Sequence, residues 1–192
     1  SIALGGGSQA CEISSLAIGD GLTFAFSGIP TVASGLNSVS IGARTTSSAQ
    51  YSKAFGVGIN ANSYAETAIG FYNKNISGNS SMAVDTDRLF VIGNGTNTSD
   101  RSDALVMLKN ADTSLHGNMN ISKNLDVGKN ANVAGTLSVA GQSYLSGLAY
   151  PTSDGIANQV LKTNGSGVLS WTNNSGSGGS SLNLVTETRN KV

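Results

Sequence analysis

Ser40-Ile41-Gly42, Ala54-Phe55-Gly56 and Ala68-Ile69-Gly70 follow one another at a spacing of 14 residues. Looser copies flank them at Ala17-Ile18-Gly19, Ala25-Phe26-Ser27 and Ala83-Val84-Asp85. Each copy is small, then apolar, then usually Gly, and runs into a stretch rich in Ser, Asn and Ala. One copy holds too little apolar surface to bury anything alone. Stacked coils remove that difficulty, because each copy covers its neighbours and the apolar residue at each step lines a continuous core. The Gly that follows permits a turn that a Cβ would hinder. Residues 1–85 are therefore read as a β-solenoid with one coil per copy.

A second repeat has a shorter period. Ile121, Val127, Val133, Val139 and Leu145 are six apart, with Leu115 one step earlier, and Met119, Leu125, Ala131 and Leu137 form a parallel series. From Leu115 to Val139 the larger apolar residues fall at odd positions, while even positions hold mainly His, Asn, Ser, Thr and Asp. Such alternation is the signature of a strand with one dry and one wet face. Gly117, Gly128, Gly135, Gly141 and Gly147 divide it into short strands. A ribbon with one apolar face cannot close its own core, so it needs copies of itself. Leu115, Met119, Ile121, Leu125, Val127, Val133, Leu137 and Val139 are expected at the core of a trimer. A period of six also suits a coil made by one chain, and the sequence leaves that choice open.

Between the repeats lie the most apolar segments, Arg88 to Gly93 and Ala104 to Lys109. The polar loop Asn94 to Asp103 joins them as a hairpin, expected as a compact collar over 86–113. Another hairpin is expected from Gln159–Thr163 and Val168–Thr172, with the turn at Asn164-Gly165-Ser166-Gly167. Residues 174–181, rich in Gly and Ser, read as a flexible linker. The organisation is thus 1–85 coils, 86–113 collar, 114–149 shaft, 150–173 hairpin and 174–192 linker and tail. No helix is expected.

Composition removes several function classes. Only 11% of residues are charged, with 11 basic and 11 acidic side chains and no net charge. Nothing is clustered to neutralise phosphates, so nucleic acid is not an expected partner. No apolar run approaches a membrane span, so no membrane insertion is expected.

The copies around Asn37-Ser38-Val39-Ser40-Ile41-Gly42-Ala43 and Glu66-Thr67-Ala68-Ile69-Gly70 resemble the head repeats of trimeric autotransporter adhesins, which are trimeric β-rolls. Asp87 to Gly95, followed by Arg101-Ser102-Asp103-Ala104-Leu105, is similar to a segment of bacteriophage tail fibres. Gly117-Asn118-Met119-Asn120-Ile121 and Gly135 to Gly141 resemble runs that form triple-stranded shafts in those families. Gly155 to Gly165 is similar to what precedes a C-terminal intramolecular chaperone domain in phage fibres. The resemblance implies an all-β homotrimeric fibre of the virion tail, with β-roll, hairpin collar and triple-stranded shaft. Its implied partners are its own copies, other tail or fibre proteins, and a host cell-surface glycan or protein. The alternative it implies is a trimeric adhesin on a bacterial surface.

No catalytic, cofactor or metal site is expected. Asp85, Asp87, Asp100 and Asp103 lack the dense oxygen pattern of a calcium loop and read as solvated turn residues. His116 lies on the polar parity of its strand, away from a trimer axis. It has no Ser or Cys placed to make a nucleophilic triad. Gly56-Val57-Gly58 and Gly165-Ser166-Gly167 open no helix and so are not phosphate loops. Cys11 reads as a small buried hydrophobe. Tyr51, Tyr64, Phe71 and Tyr72, near the bends of the first repeat, are the candidate receptor patch, since aromatics grip sugars and proteins. The competing expectation is that they cap the coils.

Overall fold

The computed structural model describes residues 1–19 and 28–174. The chain divides into two compact units, Ser1–Asn124 and Leu125–Val192. It is all-β, with no helix among the described residues. Ala25-Phe26-Ser27 and most of the expected linker and tail lie outside those residues.

In the first unit the strands follow in order as β1 (Ile2–Leu4), β2 (Gln9–Ala10), β3 (Leu16–Ile18), β4 (Val32–Ala33), β5 (Val39–Ala43), β6 (Thr46–Ser47), β7 (Lys53–Val57), β8 (Asn60–Ala61), β9 (Thr67–Phe71), β10 (Arg88–Asn94), β11 (Asp103–Leu108) and β12 (Thr113–Leu115). They make an eight-stranded sheet, β1-β3-β5-β7-β9-β10-β11-β12, and a four-stranded sheet, β2-β4-β6-β8. The chain crosses from one sheet to the other and back with each copy. Pairing is parallel in the small sheet and in the large one as far as β10.

The 14-residue spacing is the register itself. Ser40 pairs with Ala54 and Ala54 with Ala68, with Ile41, Phe55 and Ile69 beside them. Ala17-Ile18 joins the same ladder through Ser40-Ile41. Ala83-Val84-Asp85 does not, which corrects the expected copy. Those residues are exposed and outside any strand, and the partner of Ala68-Ile69-Gly70 is Val91-Ile92-Gly93. The chain leaves the ladder after Phe71 and returns only at Arg88.

The core is also the reverse of the expected one. Ala17, Ser40, Ala54, Ala68 and Val91 of the large sheet are fully buried, as are Ala33, Ser47 and Ala61 of the small sheet. Ile18, Ile41, Phe55, Ile69 and Ile92, one residue on, are only half-buried. Side chains alternate across a strand, so the small residue points in and the large one out. Apolar packing inside gathers around Ala54, Ile59, Ala61, Ala68 and Val91. Most of the buried hydroxyls are hydrogen-bonded: Ser40 Oγ donates to Thr45 Oγ1 at 2.8 Å and Ser52 Oγ to Ala49 O at 2.7 Å.

The glycine of each copy is not a turn. Gly42, Gly56 and Gly70 sit inside β5, β7 and β9 with φ of 131°, 131° and 101°. A Cβ on Gly56 would lie 2.0 Å from Gly70 O, so the main chains approach too closely for any side chain. The corners fall elsewhere, at two ladders of left-handed residues. Asn37, Tyr51 and Ala65 form one, Arg44, Gly58 and Tyr72 the other. Main-chain bonds tie each corner to the previous copy, as in Tyr51 N–H to Leu36 O and Tyr72 N–H to Val57 O.

β10 and β11 form the hairpin across the loop between Asn94 and Asp103. It extends the parallel ladder, since β10 pairs with β9 on its other side. The open edge of β8 is closed by one side chain. Asn73, fully buried, accepts the Asn60 N–H through Oδ1 and donates Nδ2 to Asn60 O, each at 2.8 Å. One carboxamide thus supplies the donor and acceptor of a missing strand.

No strand occurs between Leu115 and Tyr144. The alternation over 115–139 therefore makes no strands within one chain, because the ribbon has no partner there. In the second unit, β13 (Tyr144–Leu145) pairs with β14 (Leu148–Ala149) across Ser146 and Gly147, both at positive φ. β15 (Gln159–Thr163) pairs with β16 (Leu169–Asn173), setting Leu161 opposite Trp171. Trp171 Nε1 donates to Ser153 O at 2.9 Å, and its ring lies so close to Gly155 that a Cβ there would meet it at 2.6 Å.

Candidate functional site

The outer face of the large sheet carries an unbroken apolar row. Leu4, Ile18, Ile41, Phe55, Ile69, Ile92, Leu105 and Leu115 occupy successive strands, each the register partner of the next. The six inner members are half-buried, and the row opens at its ends, where Leu4 is 55% and Leu115 46% exposed. The row has no polar member.

The residues expected in a trimer core are exposed too. Met119, Leu125, Val127, Val133, Leu137 and Val139 are all exposed, Met119 by 70%, and Ile121 is half-buried. His116 is exposed, its main-chain N–H donated to Ala104 O.

The four aromatics do not form one patch. Tyr51 and Tyr64 meet edge to face at the corner before β7 and β9, with ring centroids 5.5 Å apart, an arrangement favoured by the ring quadrupoles. Phe71 and Tyr72 lie at the opposite end of β9. Phe71 is 57% exposed. The Tyr72 ring covers Gly58 and carries the Arg101 guanidinium 5.7 Å from its centroid. Arg101 also donates to Gly58 O and Asn73 O, so Tyr72 takes part in fastening the 94–103 loop to the coils.

A charged cluster that the sequence reading missed sits where the copies meet the hairpin. Arg88 and Asp103 form a buried ion pair and grip the Lys74 peptide between them. Asp103 Oδ1 accepts the Lys74 N–H at 2.9 Å, while Arg88 Nη1 donates to Lys74 O at 2.8 Å. Asp103 is therefore no solvated turn residue. Asp85 and Asp100 are exposed and Asp87 is half-buried, its Oδ2 accepting the Asn79 N–H. Lys109 Nζ donates to Arg88 O at 2.6 Å. Burial lowers its pKa, with Asp87 and Glu66 opposing.

Glu66 stands where Ser38 and Ser52 stand in the preceding copies, and that break in the pattern was its one sequence signal. Its Oε2 accepts Asn62 N–H, Ser63 N–H and Ser63 Oγ–H, while Oε1 is buried without a partner. Desolvation raises its pKa, opposed by the Ser63 and Asn62 hydrogen bonds and by Arg88. Cys11 is exposed and free, contrary to the buried hydrophobe expected. It follows the short strand β2 directly, with its main-chain N–H donated to Ala33 O.

Beside the small sheet runs a polar trough in two parts, about 310 and 500 Å³, sharing Ser48 and Ser80. Its walls offer hydroxyls and the amides of Asn62, Asn75 and Gln50, with Glu12 as the single charge. Such a surface suits neutral hydrogen-bonding contacts. Among the described residues no three His, Cys, Asp or Glu side chains gather around a point that could hold a metal ion. No protein-family model, curated protein or solved structure matches the chain.

Proposed function

We propose that this chain is a structural segment of a homotrimeric fibre of the bacteriophage tail-fibre kind, located on the virion. In this reading the first unit is a β-roll, residues 114–149 wind as a triple-stranded shaft, and the protein works by reach and by presenting an attachment surface. It turns over no substrate. Its partners are two further copies of itself, neighbouring fibre or tail proteins, and a glycan or protein on the host surface.

The observation that supports the reading is apolar surface left uncovered in an ordered pattern. The row from Leu4 to Leu115 faces outward across eight strands, and the odd-numbered apolar residues beyond it have no strand to pack on. Completing the burial of a half-exposed aliphatic side chain stabilises by roughly 1 kcal/mol. Repeated along the row and around three chains, that suffices to drive association. Soluble monomers seldom leave so continuous an apolar row open. The parallel copies of the first unit also support the second reading, a trimeric adhesin on a bacterial surface.

The test is Val133→Asp, read by light scattering. Three carboxylates brought close to one axis without partners are costly to bury, so assembly is expected to fail while the first unit keeps its β-sheet circular dichroism. A variant that forms trimers as readily as the wild type would overturn the proposed shaft.

A further inference from the structure

The sequence holds two Asn-Gly pairs, Asn94-Gly95 and Asn164-Gly165, and the fold treats them differently. Gly95 is buried, with its N–H donated to Phe71 O at 3.0 Å. A Cβ there would meet Tyr72 O at 2.3 Å, so its nitrogen is held in the sheet. Asn164 and Gly165, in contrast, are exposed in the loop between β15 and β16. Gly165 has φ of 79° and open space on the side where a Cβ would stand, and its N–H is donated to the exposed Thr163 Oγ1 at 3.1 Å rather than to the main chain of a sheet. The Asn164 side-chain oxygen, Oδ1, accepts the Ser166 N–H at 2.8 Å and the Val168 N–H at 3.1 Å. Two main-chain donors on one amide oxygen polarise its carbonyl and are placed to stabilise an oxyanion there.

We propose that Asn164 is a site of spontaneous covalent self-modification through Gly165. The Gly165 N–H parts from Thr163 Oγ1, hydroxide from solvent removes its proton, and the nitrogen attacks Asn164 Cγ. The N–Cγ bond forms as the carbonyl electron pair moves onto Oδ1, facing the Ser166 and Val168 N–H groups. The oxyanion then collapses, the Cγ–Nδ2 bond breaks, and Nδ2 leaves as ammonia after taking a proton from water. The product is a cyclic imide, which one water molecule opens to aspartate or to isoaspartate. Either opening places a carboxylate where a neutral amide stood. The isoaspartyl form also adds an atom to the main chain in a loop whose length sets the β15–β16 register. The hairpin thus carries a slow chemical clock, independent of the fibre reading.

The experiment holds the folded full-length chain at mildly alkaline pH and follows both sites by peptide mapping and mass spectrometry. Asn164 is expected to convert at least about tenfold faster than Asn94, because the Gly165 N–H leaves an exposed hydroxyl that water replaces, whereas the Gly95 N–H must leave a main-chain bond in the buried sheet. In the same chain unfolded in urea the two rates should converge. Gly165→Ala should suppress conversion at Asn164 and leave Asn94 unchanged. Equal rates in the folded chain, a ratio that survives unfolding, or conversion at Asn164 slower in the folded than in the unfolded chain would each overturn the proposal.

Discussion

Glu66 occupies a corner built for serine. Three donors hold one of its oxygens, but the other is buried without a partner, and loss of solvent outweighs the help from Ser63, Asn62 and Arg88. A carboxyl whose pKa rises on folding binds its proton more tightly in the folded state. Its stabilising contribution is therefore complete below the unfolded pKa and is lost as pH rises through the folded one. Glu66→Gln removes that dependence. The melting temperature of the variant is expected to gain on the wild type as pH rises from about 4 towards neutrality. A difference that stays flat over that window would show that the carboxyl titrates normally.

At the scale of the element, the ladder depends on how its edges end. Asn73 supplies both hydrogen bonds that β8 would otherwise lack. Asn73→Ala leaves the N–H and C=O of Asn60 unpaired, with an expected loss of about 1–3 kcal/mol in urea unfolding. A loss within experimental error would mean that solvent or a neighbouring group replaces the amide. The copies themselves were legible, because the 14-residue spacing translates directly into parallel register. Which parity faces inward was not. Hydrophobicity favours Ile41, Phe55 and Ile69 for the core, but the interior positions of those strands hold Ser40, Ala54 and Ala68 instead. The 14-residue copies therefore located the strands of the coils and assigned their faces the wrong way round, while the alternation beyond Leu115 marks no strand within one chain. Arg88, Lys74 and Asp103 were illegible for a different reason: their contacts cross the hairpin, and no local pattern announces them. The aromatics at the corners were found as residues, while their division between opposite ends of β9 required the register.

At the scale of the molecule, the same inversion shapes the account of function. With the small residues inside, the large apolar residues of the copies form a row on the outside of the first unit, and most of the odd-numbered apolar residues beyond Leu115 are exposed as well. A single chain has satisfied its backbone in the sheets and left much of its bulkiest apolar surface open. Association of identical chains answers that imbalance. Its most direct test is the native mass in solution by light scattering, paired with an SDS gel run before and after boiling. A homotrimer has three times the chain mass of 19.4 kDa, expected in a band that resists SDS until heated. A stable monomer with the row still open to solvent would contradict it.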